Sequence, residues 1–559
     1  MFKEIIHLLY SGNPLNFILN IFFLLYFIVL IIIYGRFKNN NEKLKIWVIM
    51  CFIPLIISII HFIIFVSGSA FLKILSEYKY IYFSSFLIAL SPVLVKKKII
   101  YIFSKILIII GCIFFSIASI DSNKITNYTR KSLSNAYISL CDYFEKNYIM
   151  NDWKKIDYNK LKNDGLVLIE EAEKTDNIDK YYEALDNFVN AHHDGHMGLS
   201  FYNGNENILN KIKSYNDYGL SLITLDDGTT IAIDVEDNLE IKPGDVITKW
   251  NGVPIDEAIE NVKIPISEGV LENEKIIKIF YLSGIGNDTV EVTYINLNNE
   301  EVTTTLNKLD SSIPRALKSY STFNHTHSGS KYDYKMLNEN IGYLKIGVEE
   351  TNDINDTIGY LTGNHKFARE KFRKTLRELK NNGMTKLVID IRNNGGGYDD
   401  VATALASLFT KEKIYAFSLG YSSNNKNKSL IEHYILPDGE FSNIEVLVLT
   451  NMRCASSGDG LGLYLSRIDG ITVAGLTNPA GINQETGGYV YMPKGAIINY
   501  PTGLVLDKDG NPNIDIDNTR ISRNPVDIRI PLTKENALKL FNNEDYELEW
   551  AIDYLNKQK

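Results

Sequence analysis

Two runs near the start of the chain constrain it more than anything that follows. Leu15 to Tyr34 (LNFILNIFFLLYFIVLIIIY) and Ile46 to Val66 (IWVIMCFIPLIISIIHFIIFV) hold 20 and 21 consecutive, largely apolar residues. A helix of about 20 such residues crosses a hydrocarbon core of about 30 Å, so both read as transmembrane spans. Tyr80–Val95 and Ile99–Ile120 read as a third and a fourth. The third is shorter and carries Ser84, Ser85, Ser91 and Pro92; the fourth carries Lys105, whose long stem can snorkel toward the nearer surface. Three further apolar segments and the lack of a small-residue cleavage pattern argue against a signal peptide in the first run. Basic residues set the orientation. Arg36, Lys38, Lys43 and Lys45 lie between spans one and two, and Lys96, Lys97 and Lys98 between spans three and four, which predicts cytoplasmic loops there and an extracytoplasmic location for everything after residue 120.

Beyond residue 120 the chain has 47 Lys and Arg against 64 Asp and Glu, a net charge of −17. That balance excludes an electrostatic footprint for nucleic acid. Cys51 and Cys112 fall inside spans, leaving only Cys141 and Cys454 outside. Neither a disulfide framework nor a CxxC metal motif is present.

Residues 121–214 read as a small helical domain, with apolar residues three and four apart in SLSNAYISLCDYFEKNYI and YYEALDNFVNAH. The periodicity breaks at HHDGHMGLSF. His192, His193 and His196 sit close together there, but they lack the element spacing and the distant partners of a zinc site, so no metal and no cofactor is expected. Residues 215–312 alternate in short strands. Within them LEIKPGDVITKWNGVPI (Leu239–Ile255) resembles the PDZ signature, and YGLSL (Tyr218–Leu222) resembles the loop that holds a peptide C-terminal carboxylate. That resemblance implies peptide binding by strand addition, or a domain that only braces its neighbour. Residues 313–340 are turn-rich and polar, a linker by composition. Residues 341–559 open with the strand IGYLKIG, an amphipathic helix and KLVIDIRNNGGGYDD, the layout of an α/β unit.

The strand-like IEVLVLT runs into TNMRCASSGDGLGLYL (Thr450–Leu465). Serines and glycines at a strand-to-helix turn suit an N-cap, and equally a nucleophile at the positive end of a helix dipole. Together LVIDIRNNGGG and VLVLTNMRCASSGDGLGLYL resemble the C-terminal processing, or tail-specific, serine peptidases and their tricorn-core relatives. The order of helical segment, PDZ domain and α/β core of the ClpP/crotonase type is the same over about 430 residues. The resemblance implies a serine-type endopeptidase with Ser456 as nucleophile and with Gly396 and the Ser457 N–H as oxyanion donors. It implies protein or peptide substrates, with capture by the C-terminus in the PDZ-like domain, and, with the spans, a partner in the lipid membrane.

One departure from the family is informative. Its general-base lysine, about two dozen residues after the serine, has no counterpart in VAGLTNPAGINQETGG; the next lysine is Lys494. The tricorn-like branch uses histidine instead, in an Asp-Gly-His motif that DGHMGL resembles, which implies His196 as base. A closing segment resembling KDGNPNIDIDNTRISRNPVDIRIPLT implies an acid at Asp515 or Asp517, with Asp515 preferred. The competing reading is a peptide-binding or sensor protein that keeps the fold without catalysis.

Overall fold

The computed structural model describes the chain except residues 1–2, 4–5, 8–10, 66–69, 95–97, 120–122, 203–215, 265–268, 326–330, 351–365, 424–425, 543 and 558–559. Lys96 and Lys97 of the second basic loop therefore lie outside the described residues. Helices α1 (Pro14–Phe37) and α2 (Asn41–Phe65) are long and apolar enough to span a membrane. Asn13 caps α1, its side chain accepting the Leu15 N–H, and Pro14 takes the first helical turn, where its missing N–H costs nothing. The expected third segment is α3 (Lys79–Ala89) followed by a four-residue turn of helix at Ser91–Leu94. Eleven residues rise about 17 Å, well short of the hydrocarbon thickness. The break falls at Leu90, just before Ser91-Pro92, where a proline cannot continue the hydrogen-bond ladder. The fourth segment is α4 (Lys98–Ala118), apolar over Ile102–Ala118. Its Lys105 ammonium lies 5.7 Å from the centre of the Tyr34 ring, a cation–π contact that compensates some of its desolvation.

Strand β1 (Lys124–Asn127) leads into α5 (Leu133–Asn147), the short α6 (Asn151–Lys154), α7 (Tyr158–Thr175), α8 (Ile178–Asn190) and β2 (Gly198–Phe201). Tyr137, Phe144 and Phe188 pack with Ile498 and Tyr500 of the C-terminal half in one buried cluster. The helical segment thus shares its core with residues some 300 positions away, and this carries the Asp194-Gly195-His196 turn to the chain's C-terminal part.

The next strands, β3 (Leu220–Thr224), β4 (Thr230–Val235), β5 (Val246–Trp250), β6 (Val253–Pro254), β7 (Thr289–Ile295) and β8 (Glu301–Asn307), form an antiparallel sheet in the order β3-β4-β5-β7-β8, with β6 on β5. Helix α9 (Leu271–Leu282) packs on β3. The stretch read as a linker is more structured than its composition implies. It holds α10 (Arg315–Phe323) and β9 (Tyr332–Met336), because Tyr320 and Phe323 find an aromatic partner in Phe280 of α9 at centroid distances of 5.8 and 5.5 Å and apolar burial outweighs a polar average. α10 packs on β3 as well as on α9, Arg315 pairs with Asp234 and Glu236, and the Gly219 N–H of YGLSL donates to Asp217 at 2.8 Å.

In the remainder β10 (Ile341–Ile346), α11 (Lys366–Asn381), β11 (Lys386–Asp390), α12 (Asp399–Ala406), β12 (Ile414–Ser423), β13 (Lys426–Ile435), β14 (Glu445–Leu449), α13 (Ser457–Ser466), β15 (Ile471–Gly475), β16 (Glu485–Tyr491), β17 (Ala496–Leu506), β18 (Ile528–Arg529), α14 (Lys534–Phe541) and α15 (Tyr546–Lys557) build an α/β body. One sheet runs β18-β15-β14-β11-β10-β9, parallel except for β9. A second runs β1-β16-β17-β12-β13, and β2 joins it on β17. Because β11 and β14 are parallel neighbours in register, Asp390 opposite Leu449, the glycine loop and the serine turn leave the sheet side by side. In open α/β sheets this carboxyl edge of the strands is where ligands bind.

Candidate active site

Ser456 sits on the turn between β14 and α13 with φ 57° and ψ −136°. A non-glycine residue held there costs about 1–3 kcal/mol and persists only where its surroundings enforce it. They do so here. The Ser456 N–H donates to the Ile482 carbonyl at 2.8 Å, its carbonyl accepts the Gly460 N–H at 3.0 Å, and the preceding Ala455 N–H donates to the Asn394 carbonyl at 2.8 Å. The turn thus presents the hydroxyl at the N-terminal, electropositive end of a ten-residue helix. Gly396 lies against it: a methyl group built on Gly396 would stand 2.5 Å from Ser456 Cβ and 3.0 Å from Oγ.

The glycine loop is braced from below. Arg392, fully buried, donates to Asp390, Asp545 and Glu547 at 2.8–3.1 Å, and the Asn393 N–H donates to Asn451 Oδ1 at 3.0 Å. The Gly396 N–H itself donates to Asn394 Oδ1 at 2.9 Å. Among the described residues the Ser457 N–H has no protein acceptor, and it opens α13. Ser457 Oγ is turned inward, donating to Glu349 Oε2 at 2.8 Å, so of the two serines only Ser456 has its hydroxyl beside the glycine loop.

His196 follows α8 in a tight turn organised by Asp194, which accepts the His196 N–H at 2.9 Å on Oδ1 and the Tyr148 hydroxyl at 2.6 Å on Oδ2. The His196 carbonyl accepts from Asn499 of β17 at 3.0 Å. Gly195 abuts Ile482, whose Cδ1 would stand 2.6 Å from an added methyl group. Ile482 therefore touches both halves of the site, its carbonyl on Ser456 and its side chain on the turn carrying His196. No hydrogen bond joins His196 to Ser456 among the described residues.

Asp515 is buried, with Oδ2 accepting the Asn483 N–H at 2.9 Å and Gln484 Nε2 at 2.8 Å. Burial and the neighbouring Asp194 carboxylate push its pKa up, against the opposing pull of Lys154, Gln484 and His196. Its Oδ1 and the Nδ1 of His196 are both buried without a hydrogen-bond partner among the described residues. They are an acceptor and a donor on electrostatically coupled side chains. Asp517, the alternative acid, turns away: its carboxylate accepts from the backbone and hydroxyl of Thr519, and those bonds hold its pKa below the usual range.

The other histidines have different roles. His192 is fully buried among Phe144, Tyr148, Tyr158 and Phe188, bonded to the Tyr158 hydroxyl and the Phe188 carbonyl, and burial pulls its pKa down to about 4. Lys494 is exposed on the β16–β17 turn, where its carbonyl accepts the Tyr182 hydroxyl. No cluster of three metal-ligating side chains occurs among the described residues.

Three further residues of this region are buried; Glu349 and Lys154 carry no sequence signal, whereas Asp459 is the acidic residue three positions after Ser456 that the family resemblance picks out. Glu349, just past β10, accepts from Ser457 and Asn394, and burial pushes its pKa up to about 7. Asp459, one turn along α13, accepts the Gly481 N–H at 2.8 Å and Asn524 Nδ2 at 2.7 Å, and burial again raises it to about 7. Lys154 on α6 is buried and donates to the His193 carbonyl at 3.0 Å. Only folding reveals these contacts, because each partner lies tens to hundreds of residues away.

Residues 357–521 match the family model described as Peptidase family S41. A crystal structure of mature CPAF is similar at 14% identity with a TM-score of 0.51, over 74% of this chain and 98% of that one. The photosystem II D1 C-terminal processing protease matches at 15% identity with a TM-score of 0.33, over 74% of this chain and 98% of that one. The tricorn protease matches at 13% identity with a TM-score of 0.34, over 76% of this chain and 36% of that one. No curated protein sequence matches the chain.

Proposed function

We propose that this chain, whose residues 357–521 match the model of Peptidase family S41, is a membrane-anchored serine endopeptidase in which Ser456 attacks the scissile carbonyl and His196 takes and returns the proton. Asp515 orients the imidazole and stabilises its charged form. The Ser457 N–H, with Gly396, stabilises the oxyanion; the Gly396 N–H must leave Asn394 to do so. The observation that carries this reading is the double contact of Ile482, which ties the strained Ser456 turn to the Asp-Gly-His turn over 260 residues of sequence. Apo catalytic hydrogen bonds are commonly long and tighten with substrate, which accommodates the open His196–Ser456 pair.

Three contacts near the membrane helices support extracytoplasmic substrates. Asn13 bonds Tyr78, Asn123 bonds Glu77 and Asn127 bonds the Phe65 carbonyl, so the start of α1, the end of α2 and the entry to the catalytic part share one level. The basic loop at Arg36–Lys45 lies at the other end of α1, about 36 Å away for 24 helical residues. The orientation rule then puts the catalytic part outside. Membrane insertion of α4 with the shorter α3 packed against it, and a PDZ identity for the β domain, belong to the same proposal.

The decisive experiment is labelling of the whole chain with a fluorophosphonate. Wild type should label and Ser456→Ala should not. Equal labelling of both would remove Ser456 from the chemistry.

A further inference from the structure

Helix α6 is only one turn long, yet it reaches both loops that carry the proposed base and its acid. Trp153 Nε1 donates to the Asp515 carbonyl at 2.9 Å, and the next residue, Lys154, donates through Nζ to the His193 carbonyl at 3.0 Å. Lys154 is 5% exposed, and Asp194, Asp515 and His192 are fully buried. A buried ammonium is expensive unless charges of opposite sign lie nearby. The charged groups that act on Lys154 are Asp194, Asp515 and Asp517, with Arg520 opposing them. Those that act on Asp515 include Asp194, Lys154 and His196, and Asp515 in turn acts on Tyr148 and on Asp459.

We propose that Lys154 is a positioning residue of the active site, its ammonium holding Asp194 and Asp515 as carboxylates behind a neutral His196. The proposal rests on His196 and Asp515 working as read above. The charge balance makes the argument. With Asp194 and Asp515 ionised, Lys154 protonated and His196 neutral, the buried group carries one net negative charge. When His196 takes the Ser456 proton the group as a whole becomes neutral, so the charge of the resting state is relieved in the transition state. Without Lys154 the buried Asp194, Asp515 and His196 would together carry two negative charges, and a proton is bound more tightly among them. On Asp515 that proton weakens the stabilisation of an imidazolium, and on His196 it removes the base. Either way the active form is reached only at higher pH, and the acid limb moves up.

The test is the pH dependence of kcat/KM for peptide hydrolysis by the whole chain. Lys154→Met, close in volume, should lower activity at pH 7 and move the acid limb up by about one pH unit, the effect of a unit charge about 12 Å away in a medium of effective dielectric about 20. Asp515→Asn should move the limb down while lowering kcat. The double variant, which removes one charge of each sign, should return the limb toward wild type and covers the case in which Lys154→Met does not fold. Lys154→Arg should keep the wild-type limb. If Lys154→Met has the wild-type limb, or if the double variant's limb stays where the Lys154→Met limb lies, the role of Lys154 is overturned while Ser456 and His196 stand. If His196→Ala keeps full activity, the underlying reading fails instead.

Discussion

Gly396→Ala tests the geometry of the nucleophile without touching it. Gly396 has φ +99°, where an L-residue costs about 1–3 kcal/mol. The added methyl would meet Ser456 Cβ at 2.5 Å and the Ala455 carbonyl at 3.1 Å, against an ordinary carbon–carbon separation of about 3.5–4.0 Å. Relief requires Ser456 or the glycine loop to move by about 1 Å, and a displacement of that size costs about 100-fold in rate, or about 2.7 kcal/mol of barrier. Overpacking adds about 1–3 kcal/mol to the loss of stability. Gly395→Ala is the matched control: its methyl meets nothing within 4 Å and its φ is not positive. The assay is the second-order rate of fluorophosphonate labelling, with thermal unfolding of the same samples to separate displacement from unfolding. Gly396→Ala should be folded, a few degrees less stable and about 100-fold slower, whereas Gly395→Ala should track wild type. A Gly396→Ala rate within threefold of wild type would refute the contact between the glycine loop and the nucleophile.

Ser457→Ala should keep the nucleophile but lose about 1.5–3 kcal/mol, because the buried Glu349 carboxyl forfeits a 2.8 Å hydrogen bond; labelling together with denaturant unfolding checks both halves. Glu349, Asp399 and Asp459 are all pushed up to about 7 by burial, so these three bind protons more tightly in the folded chain than in the unfolded one, and the stability they contribute is full below the ordinary carboxylate range and is lost as pH rises through 7. The thermal midpoint should therefore rise between pH 8 and pH 6, and a midpoint that falls over that interval would contradict it. Protease added to intact cells should remove the part after residue 120, whereas full protection behind a sealed membrane would reverse the orientation.

What the sequence made legible was the local and the repetitive. The two long apolar runs became α1 and α2, and the strand–glycine and strand–serine layouts became adjacent parallel strands, because hydrophobic period and turn chemistry are encoded within a dozen residues. Tyr80–Val95 was harder: its mean apolarity suggests a span, but Pro92 sets the helix end and serines bonded to nearby backbone carbonyls lower the drive to face lipid. Residues 313–340 hold more structure than a linker's composition suggests for a related reason. Composition averages over a stretch, whereas Tyr320 and Phe323 act singly against Phe280. Asp459 and Asp515 are legible only as members of family motifs. Glu349 and Lys154 look like ordinary surface residues until the fold removes their water.

The buried carboxylates favour histidine over lysine as the proposed base in a chain that lacks the lysine of the processing peptidases. A lysine base must lose about three pKa units to act near neutrality, which calls for an apolar pocket or a neighbouring cation. The surroundings of Asp515 are the opposite: a site rich in carboxylates, with Asp194 and Asp459 electrostatically coupled to it, which would hold a lysine charged. A free histidine side chain starts near neutrality and so does not need such a pocket. Lys494, exposed on its turn, has no such pocket. The replacement of one base by another is thus consistent with a change in the sign of the surrounding charge, and a lysine placed at residue 196 should stay protonated at pH 7 and leave Ser456 without a base.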